Sequence, residues 1–327
     1  MILNSILFSD SIVWVPLCVI AFIILLILLI SYICFRIVFY SSRKPKYDDK
    51  AIEIYEGKAY EPYYAQMQQD IKDVIELPKE YVSIKSHDGL TLRGKYYEVK
   101  KGAPIELMLH GYRGNGKRDL STGVLRARGK GRNVLVIDHR GSGLSDGKVI
   151  TFGVKESIDA LGWINYIINN IDKDAKIFLT GISMGAATVM NCSTMELPKN
   201  VVAILADCGF TSPKDIISKV MRDMKLSPKL LYPFIKLGGK LFGRFNIDEK
   251  SSIESVQNCK LPIIFIHGKE DSFVPYEMSV RCYEACGSKN KKLLLIDKAD
   301  HGLAFMADPE LYLIELEGFF GPLINQK

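Results

Sequence analysis

An alcohol becomes a nucleophile at neutral pH only when a base takes its proton and a carboxylate orients that base. The chain offers such a set on separate stretches. After the apolar run Ile177 to Leu179 it reads Gly181-Ile182-Ser183-Met184-Gly185, followed by Ala186-Ala187. Glycines two residues to either side of a serine let neighbouring backbone approach a tight strand-to-helix turn, which lifts the Ser183 hydroxyl off the sheet edge. A serine that only caps a helix is the plainer reading of the same residues. Further on, Ile263 to Ile266 runs into His267-Gly268-Lys269-Glu270-Asp271, and Leu293 to Ile296 runs into Asp297-Lys298-Ala299-Asp300-His301-Gly302. A serine, an aspartate and a histidine in that order, each after an apolar run, predict acyl transfer through Ser183, with His301 as base and Asp271 as the orienting acid. Asp207, after the run Val201 to Ala206, is the alternative home for the acid.

Such residues need a rigid sheet to hold them. Short apolar runs at Ile105 to Leu109, Val134 to Ile137, Ile177 to Leu179, Val201 to Ala206, Ile263 to Ile266 and Leu293 to Ile296 read as strands buried on both faces. Between them the spacing of Val154, Ile158, Leu161, Ile164, Ile167 and Ile168 predicts a helix between Phe152 and Asn170. Strand and helix in alternation predict a parallel sheet wrapped by helices, with chemistry at the C-terminal strand ends. Upstream, Tyr81 to Lys85 and Thr91 to Tyr97 alternate around His87-Asp88-Gly89 and predict an antiparallel hairpin.

With those elements in place, the chain resembles the α/β-hydrolase family over roughly residues 78 to 322. The resemblance rests on His110-Gly111, Asp138-His139-Arg140-Gly141-Ser142-Gly143-Leu144-Ser145, Gly181 to Gly185, Asp271 and His301-Gly302, all in family order. It implies an α/β-hydrolase fold with a mostly parallel eight-stranded sheet and a helical cap insertion. It also implies a serine hydrolase of the esterase or serine aminopeptidase branch that uses Ser183, Asp271 and His301 on a small acyl-containing substrate, without cofactor or metal. Two backbone N–H groups, of Met184 and of Tyr112, are the expected oxyanion hole. The Tyr112 side chain either lines the acyl pocket or lies on the surface.

Rival chemistry is excluded on residue type. Gly111 to Arg118 imitates a phosphate loop, but Arg118 stands where a magnesium-binding hydroxyl is needed. His87, His110, His139 and His267 are scattered over loops without metal spacing and read as loop-bracing groups. Cys208, next to Asp207, has no base of its own, and the other cysteines show no disulfide or metal spacing. A net charge of +6 without a long basic block argues against nucleic acid. With 48% hydrophobic and 24% charged residues, the composition excludes disorder.

Residues 11–35 contain no charged side chain. That run exceeds the roughly 20 residues needed to span a bilayer and lacks the basic start and cleavage pattern of a secretory signal. It predicts a single uncleaved transmembrane helix, 11–38, after a short segment 1–10. A juxtamembrane linker 39–77 and the hydrolase domain 78–327 are expected to follow. Arg36, Arg43, Lys44 and Lys46 follow the apolar run and no basic residue precedes it, which predicts a single-pass membrane protein with a cytoplasmic catalytic domain. The insertion 211–256 reads either as a lid over the acyl pocket or as ordinary helices packed on the sheet. Its basic residues between Lys214 and Arg244 read either as an anionic-bilayer contact or as a solvated face.

Overall fold

The computed structural model describes the backbone of residues 2–41 and 48–325 and the side chains of 14–41 and 48–324. Arg43, Lys44 and Lys46, which carry part of the orientation argument, lie outside the described residues. A single eight-stranded sheet has the order β1-β2-β4-β3-β5-β6-β7-β8. The predicted hairpin is β1 (Glu80–Lys85) and β2 (Thr91–Tyr97), and β2 pairs antiparallel with β4 (Asn133–Asp138). All other neighbours are parallel: β3 (Ile105–Leu109), β4, β5 (Ile177–Ile182), β6 (Val201–Asp207), β7 (Ile263–Gly268) and β8 (Lys291–Ile296). Every residue of β3, β4 and β7 is buried, as a sheet covered on both faces requires.

The helices of the domain proper are α3 (Gly116–Gly129), α4 (Val154–Tyr166), α5 (Met184–Cys192), α9 (Glu277–Ala285) and the C-terminal pair α10 (Ala304–Ala307) and α11 (Pro309–Asn325). The apolar stripe predicted from Phe152 to Asn170 is α4 continued by a π turn over Ile167–Ile171, where the wider spacing keeps Ile167 buried. Trp163 of α4 and Phe178 of β5 are both fully buried in the core they help to form.

The N-terminal helix α1 (Ile2–Val38) contains one span, Trp14–Val38, long and apolar enough to cross a membrane, with a mean hydropathy of 3.2. Its far end departs from the expected plain tether followed by a linker. Ser31, Phe35 and Phe39 are buried, and Phe39 meets the rings of Phe152 and Phe245 edge-on at 6.0 and 5.1 Å. Ser41 N–H donates to Lys148 O and Ile150 N–H to Phe39 O, so the exit strand is sewn to the domain.

The insertion holds α6 (Pro213–Asp223), α7 (Pro228–Phe242) and α8 (Ser252–Gln257). Helix α7 packs along α1, where Gly238 lets the Ser31 carbonyl approach so closely that a Cβ would collide with it. The expected linker contributes α2 (Tyr64–Glu76), which packs on α3 with Val74 in the shared cluster and Ile71 also buried.

Phe39 is a core residue of the domain, so Phe39→Ala destabilises the full-length protein by about 3–5 kcal/mol, the usual cost of truncating a buried phenylalanine. Denaturation of the detergent-solubilised parent and variant measures it, and a change below about 0.5 kcal/mol would contradict the packing.

Candidate active site

Ser183 sits between β5 and α5 with φ +56° and ψ −117°, a left-handed conformation that an L residue adopts only when its surroundings impose it. The flanking glycines explain how. A Cβ on Gly181 would strike the Gly185 carbonyl, and one on Gly185 would strike the Leu109 carbonyl of β3. The turn is therefore closed on itself and pressed against the neighbouring strand, and it points the hydroxyl outward.

That hydroxyl meets the predicted histidine. Ser183 Oγ is 3.0 Å from His301 Nε2, and His301 Nδ1 donates to Asp271 Oδ2 at 2.7 Å. The donation places the neutral ring's one N–H proton on Nδ1 and leaves Nε2 free to accept from the serine. Asp271 also accepts the N–H groups of Phe273 and Val274 at Oδ1, at 3.0 and 2.7 Å, and a hydrogen bond from His267 Nε2 at Oδ2, at 3.0 Å. Burial alone raises the pKa of such a carboxyl. The hydrogen bonds and the electrostatic attraction of the His267 and His301 rings outweigh it and hold Asp271 well below the ordinary carboxylate range.

Asp207 is not the histidine's partner. Its Oδ2 accepts the Tyr312 hydroxyl at 3.0 Å, and Oδ1 is buried without a partner. Burial, the largest influence, pushes this carboxyl up to about 6 against that hydrogen bond. Cys208 is likewise unsuited to attack, because burial and the charges of Asp207 and Asp271 push its thiol well up. Among the described residues, Cys208, Asp271 and His301 are the one grouping with metal-capable atoms, mutually within 4.8 Å. A metal there would have to deprotonate that thiol and compete for groups already bonded to each other.

The loop after β3 lies against the serine, with a Cβ built on Gly111 falling 3.4 Å from Ser183 Cβ. The Met184 N–H opens α5, where the first N–H groups of a helix have no partner within the helix. Tyr112 is among the residues that line the cavity, and its side chain also reaches the end of α1. Its hydroxyl donates to Val38 O at 2.7 Å, and its ring packs 4.9 Å from Phe152. Arg113 Nη2 donates to Ile37 O at 2.6 Å. The end of α1 is thus capped by the residues that flank the expected oxyanion hole.

Other groups here carry no local sequence signal for their role. Gly111 N–H donates to Asp119 Oδ2 at 3.0 Å, and Asp300 Oδ1 accepts the N–H groups of Ser272 and His301, joining the acid and histidine loops. His110 accepts the His139 N–H at Nε2, so its Nδ1 proton goes to Gly111 O at 2.8 Å. His110 and His267 are bracing groups, as expected. Glu270 is exposed.

The serine opens on a cavity of about 420 Å³. No residue of the insertion 211–256 lines it, so the lid reading of that segment is set aside in favour of packing, with α1 as the partner. The walls come instead from the loops of the domain and from Tyr55, Tyr60, Met67 and Ile71 of the supposed linker.

Comparison with known proteins places these features. The profile of the serine aminopeptidase (S33) family of hydrolases matches residues 107–257 and 249–308. The chain is 26% identical over 257 residues to protein bem46 of Schizosaccharomyces pombe, covering 75% of this chain and 80% of that one. It is 26% identical over 190 residues to the Bacillus subtilis protein YqkD, spanning 58% of this chain and 62% of that relative's length. Among solved structures, the Pyrococcus furiosus esterase Pf2001 superposes with a TM-score of 0.63 at 24% identity, covering 79% of this chain and 95% of the esterase. Est1E of Butyrivibrio proteoclasticus, solved with ferulic acid, gives 0.59 at 22% identity, covering 75% and 100%.

One consequence of the site's electrostatics is measurable. The folded Asp207 carboxyl binds its proton more tightly than the unfolded one, so its ionised form costs stability above about pH 6, and the cost fades as pH falls toward the unfolded value of ~3.9. Asp207→Asn therefore raises Tm relative to the parent more at about pH 7.5 than at about pH 5. Thermal scans at both pH values test it, and a difference that does not change with pH would refute it.

Proposed function

The chain belongs to the serine aminopeptidase (S33) family of hydrolases and is a serine hydrolase, and from that premise we propose that it is a membrane-tethered esterase working through an acyl-enzyme on Ser183. The observation that carries this is the unbroken relay from Ser183 Oγ through the His301 ring to Asp271, opening on a mostly apolar cavity. As a substrate carbonyl seats against the serine, His301 Nε2 takes the hydroxyl proton while Oγ forms the bond to carbon. Asp271 keeps the ring in the required tautomer and stabilises the imidazolium. The developing oxyanion is met by the N–H groups of Met184 and Tyr112, the first reinforced by the positive end of α5. His301 returns its proton to the departing alcohol. Water then enters, loses a proton to the same nitrogen, and releases the acid and Ser183.

The tether reading gains support from where the apolar helix ends. From Asp10 to Ser31, at 1.5 Å per residue, the helix runs roughly 30 Å, one hydrocarbon thickness, and burial against α7 begins at Ser31. Cleavage after the apolar run would strip Phe35 from the core and Ser31 from its contact with α7, which favours a retained anchor over a removed signal. Arg36 and the following basic residues favour a cytoplasmic domain. Amide, thioester and acyl-transfer chemistry on the same residues is the second reading, because the relay is common to all of them and the leaving group is chosen elsewhere.

Ser183→Ala abolishes hydrolysis of short nitrophenyl esters and labelling by a fluorophosphonate probe, while Asp271→Asn lowers kcat by about 10⁴ with folding intact. Turnover and labelling retained by Ser183→Ala would reject the assignment.

A further inference from the structure

The cavity lies next to a segment that belongs to neither the family-matched region nor the membrane span. Residues 48–76 stand before the match that begins at residue 107, yet they supply one wall. Tyr60 OH donates to His301 O at 3.0 Å, which ties this wall to the backbone of the histidine itself. Its ring stacks on Tyr55 at 5.4 Å, and Tyr55 OH donates to Asp119 Oδ1 at 3.0 Å. The other oxygen of Asp119 accepts the Gly111 N–H beside the expected oxyanion hole. Arg118 closes the cluster, its guanidinium 4.1 Å from the Tyr55 ring centroid and bonded to both Tyr55 OH and Asp119 Oδ1. Thus the linker is bolted at both ends of the reacting geometry, to the histidine loop and to the oxyanion loop.

Beyond those bolts the wall is apolar. Helix α2 is held on α3 by Thr122, whose hydroxyl donates to Asp70 Oδ2 at 2.5 Å, and this fixes Met67 and Ile71 against the cavity. Met108, Leu120, Phe305 and Met306 line the same cavity. Two ionisable groups of the lining are engaged with partners, Arg126 with Glu106 and Asp207 with Tyr312. A second hollow of about 370 Å³, between α2 and the start of α11, shares Thr122, Arg126, Phe305 and Met306 with the first and continues it under α2. A channel of this lining rewards a substrate for each methylene it buries.

We propose that the juxtamembrane segment Tyr55 to Ile71, not the insertion 211–256, is the specificity wall of this site, and that it selects esters of straight apolar acyl chains which run from Ser183 along Met67 beneath α2. The inference rests on the esterase reading above and names its substrate class. It assigns to Met67 control of chain length, because its flexible side chain is half-buried in the wall of the first hollow, where volume decides how far a chain reaches.

The test uses the full-length protein in detergent micelles with nitrophenyl esters from acetate to laurate, comparing variants at one micelle concentration so that partitioning of the longer esters cancels. In the parent, kcat/KM rises with chain length by roughly fourfold per methylene until the channel is filled, since burial of one methylene is worth ~0.8 kcal/mol and 1.4 kcal/mol is tenfold. Met67→Trp lowers kcat/KM for the long esters by about tenfold or more relative to acetate, and Met67→Ala moves the optimum to a longer chain. Leu230→Trp, on the exposed face of α7, leaves the profile as in the parent. Profiles unaltered by both Met67 variants, or reshaped by Leu230→Trp, would overturn the proposal. Absence of Ser183-dependent turnover of every ester in the parent would instead strike the esterase reading, and the inference with it.

Discussion

A left-handed backbone at a non-glycine residue costs of order 1–3 kcal/mol, and Ser183 bears that cost at the centre of the molecule. The conformation persists because its surroundings leave no alternative. Ser183 N–H donates to Asp207 O of β6, its carbonyl accepts Ala187 N–H of α5, and the Leu109 carbonyl of β3 occupies the space a side chain at 185 would need. Relaxing the turn would mean separating β5 from strands on both sides. The parallel sheet is thus the device that keeps one hydroxyl clear of the backbone and within 3.0 Å of a histidine that arrives 118 residues later.

Histidine and acid are positioned by a different means, since both lie on loops. Loops hold geometry only when their polar groups are saturated. Asp271 accepts backbone N–H groups on one oxygen and imidazole N–H groups on the other, so its carboxylate cannot turn without breaking several bonds. Asp300 joins the same two loops from outside by accepting the N–H groups of Ser272 and His301. Low pKa and fixed orientation at Asp271 are one fact seen twice, because the bonds that favour its charge are the bonds that aim it.

What the sequence made legible follows the range of the forces involved. The strands were visible because a sheet covered on both faces needs unbroken apolar runs, and the serine turn because its glycines lie within two residues of it. Chain order admits both Asp271 and Asp207, and only packing reveals that Tyr312, 105 residues away, occupies Asp207. The cavity wall was opaque. Tyr55, Tyr60, Met67 and Ile71 follow no clean period, and their partners at Asp119 and His301 lie 64 and 241 residues further on. The insertion was ambiguous for a related reason. An apolar helix face states that something covers it without saying what, and the cover for α7 proved to be α1, on the far side of the sequence.

This last pairing changes what the N-terminal helix does. A flexible tether would confine the domain near a surface while leaving its orientation free. Here the final carbonyls of α1 are answered by Tyr112 and Arg113, its aromatic side chains sit in the core beside Phe152 and Phe245, and α7 lies along it. Because α1 enters the domain as a packed element, the helix axis fixes how the domain is tilted, and the same hydrogen bonds hold the loop that carries the Tyr112 N–H. A bilayer that gripped residues 14–30 would therefore set the direction from which an apolar substrate meets Ser183, with α2 and the Tyr55 to Ile71 wall carried in fixed relation to it. Retaining the end of the helix is then a requirement of the site's architecture, whatever lies around the apolar span.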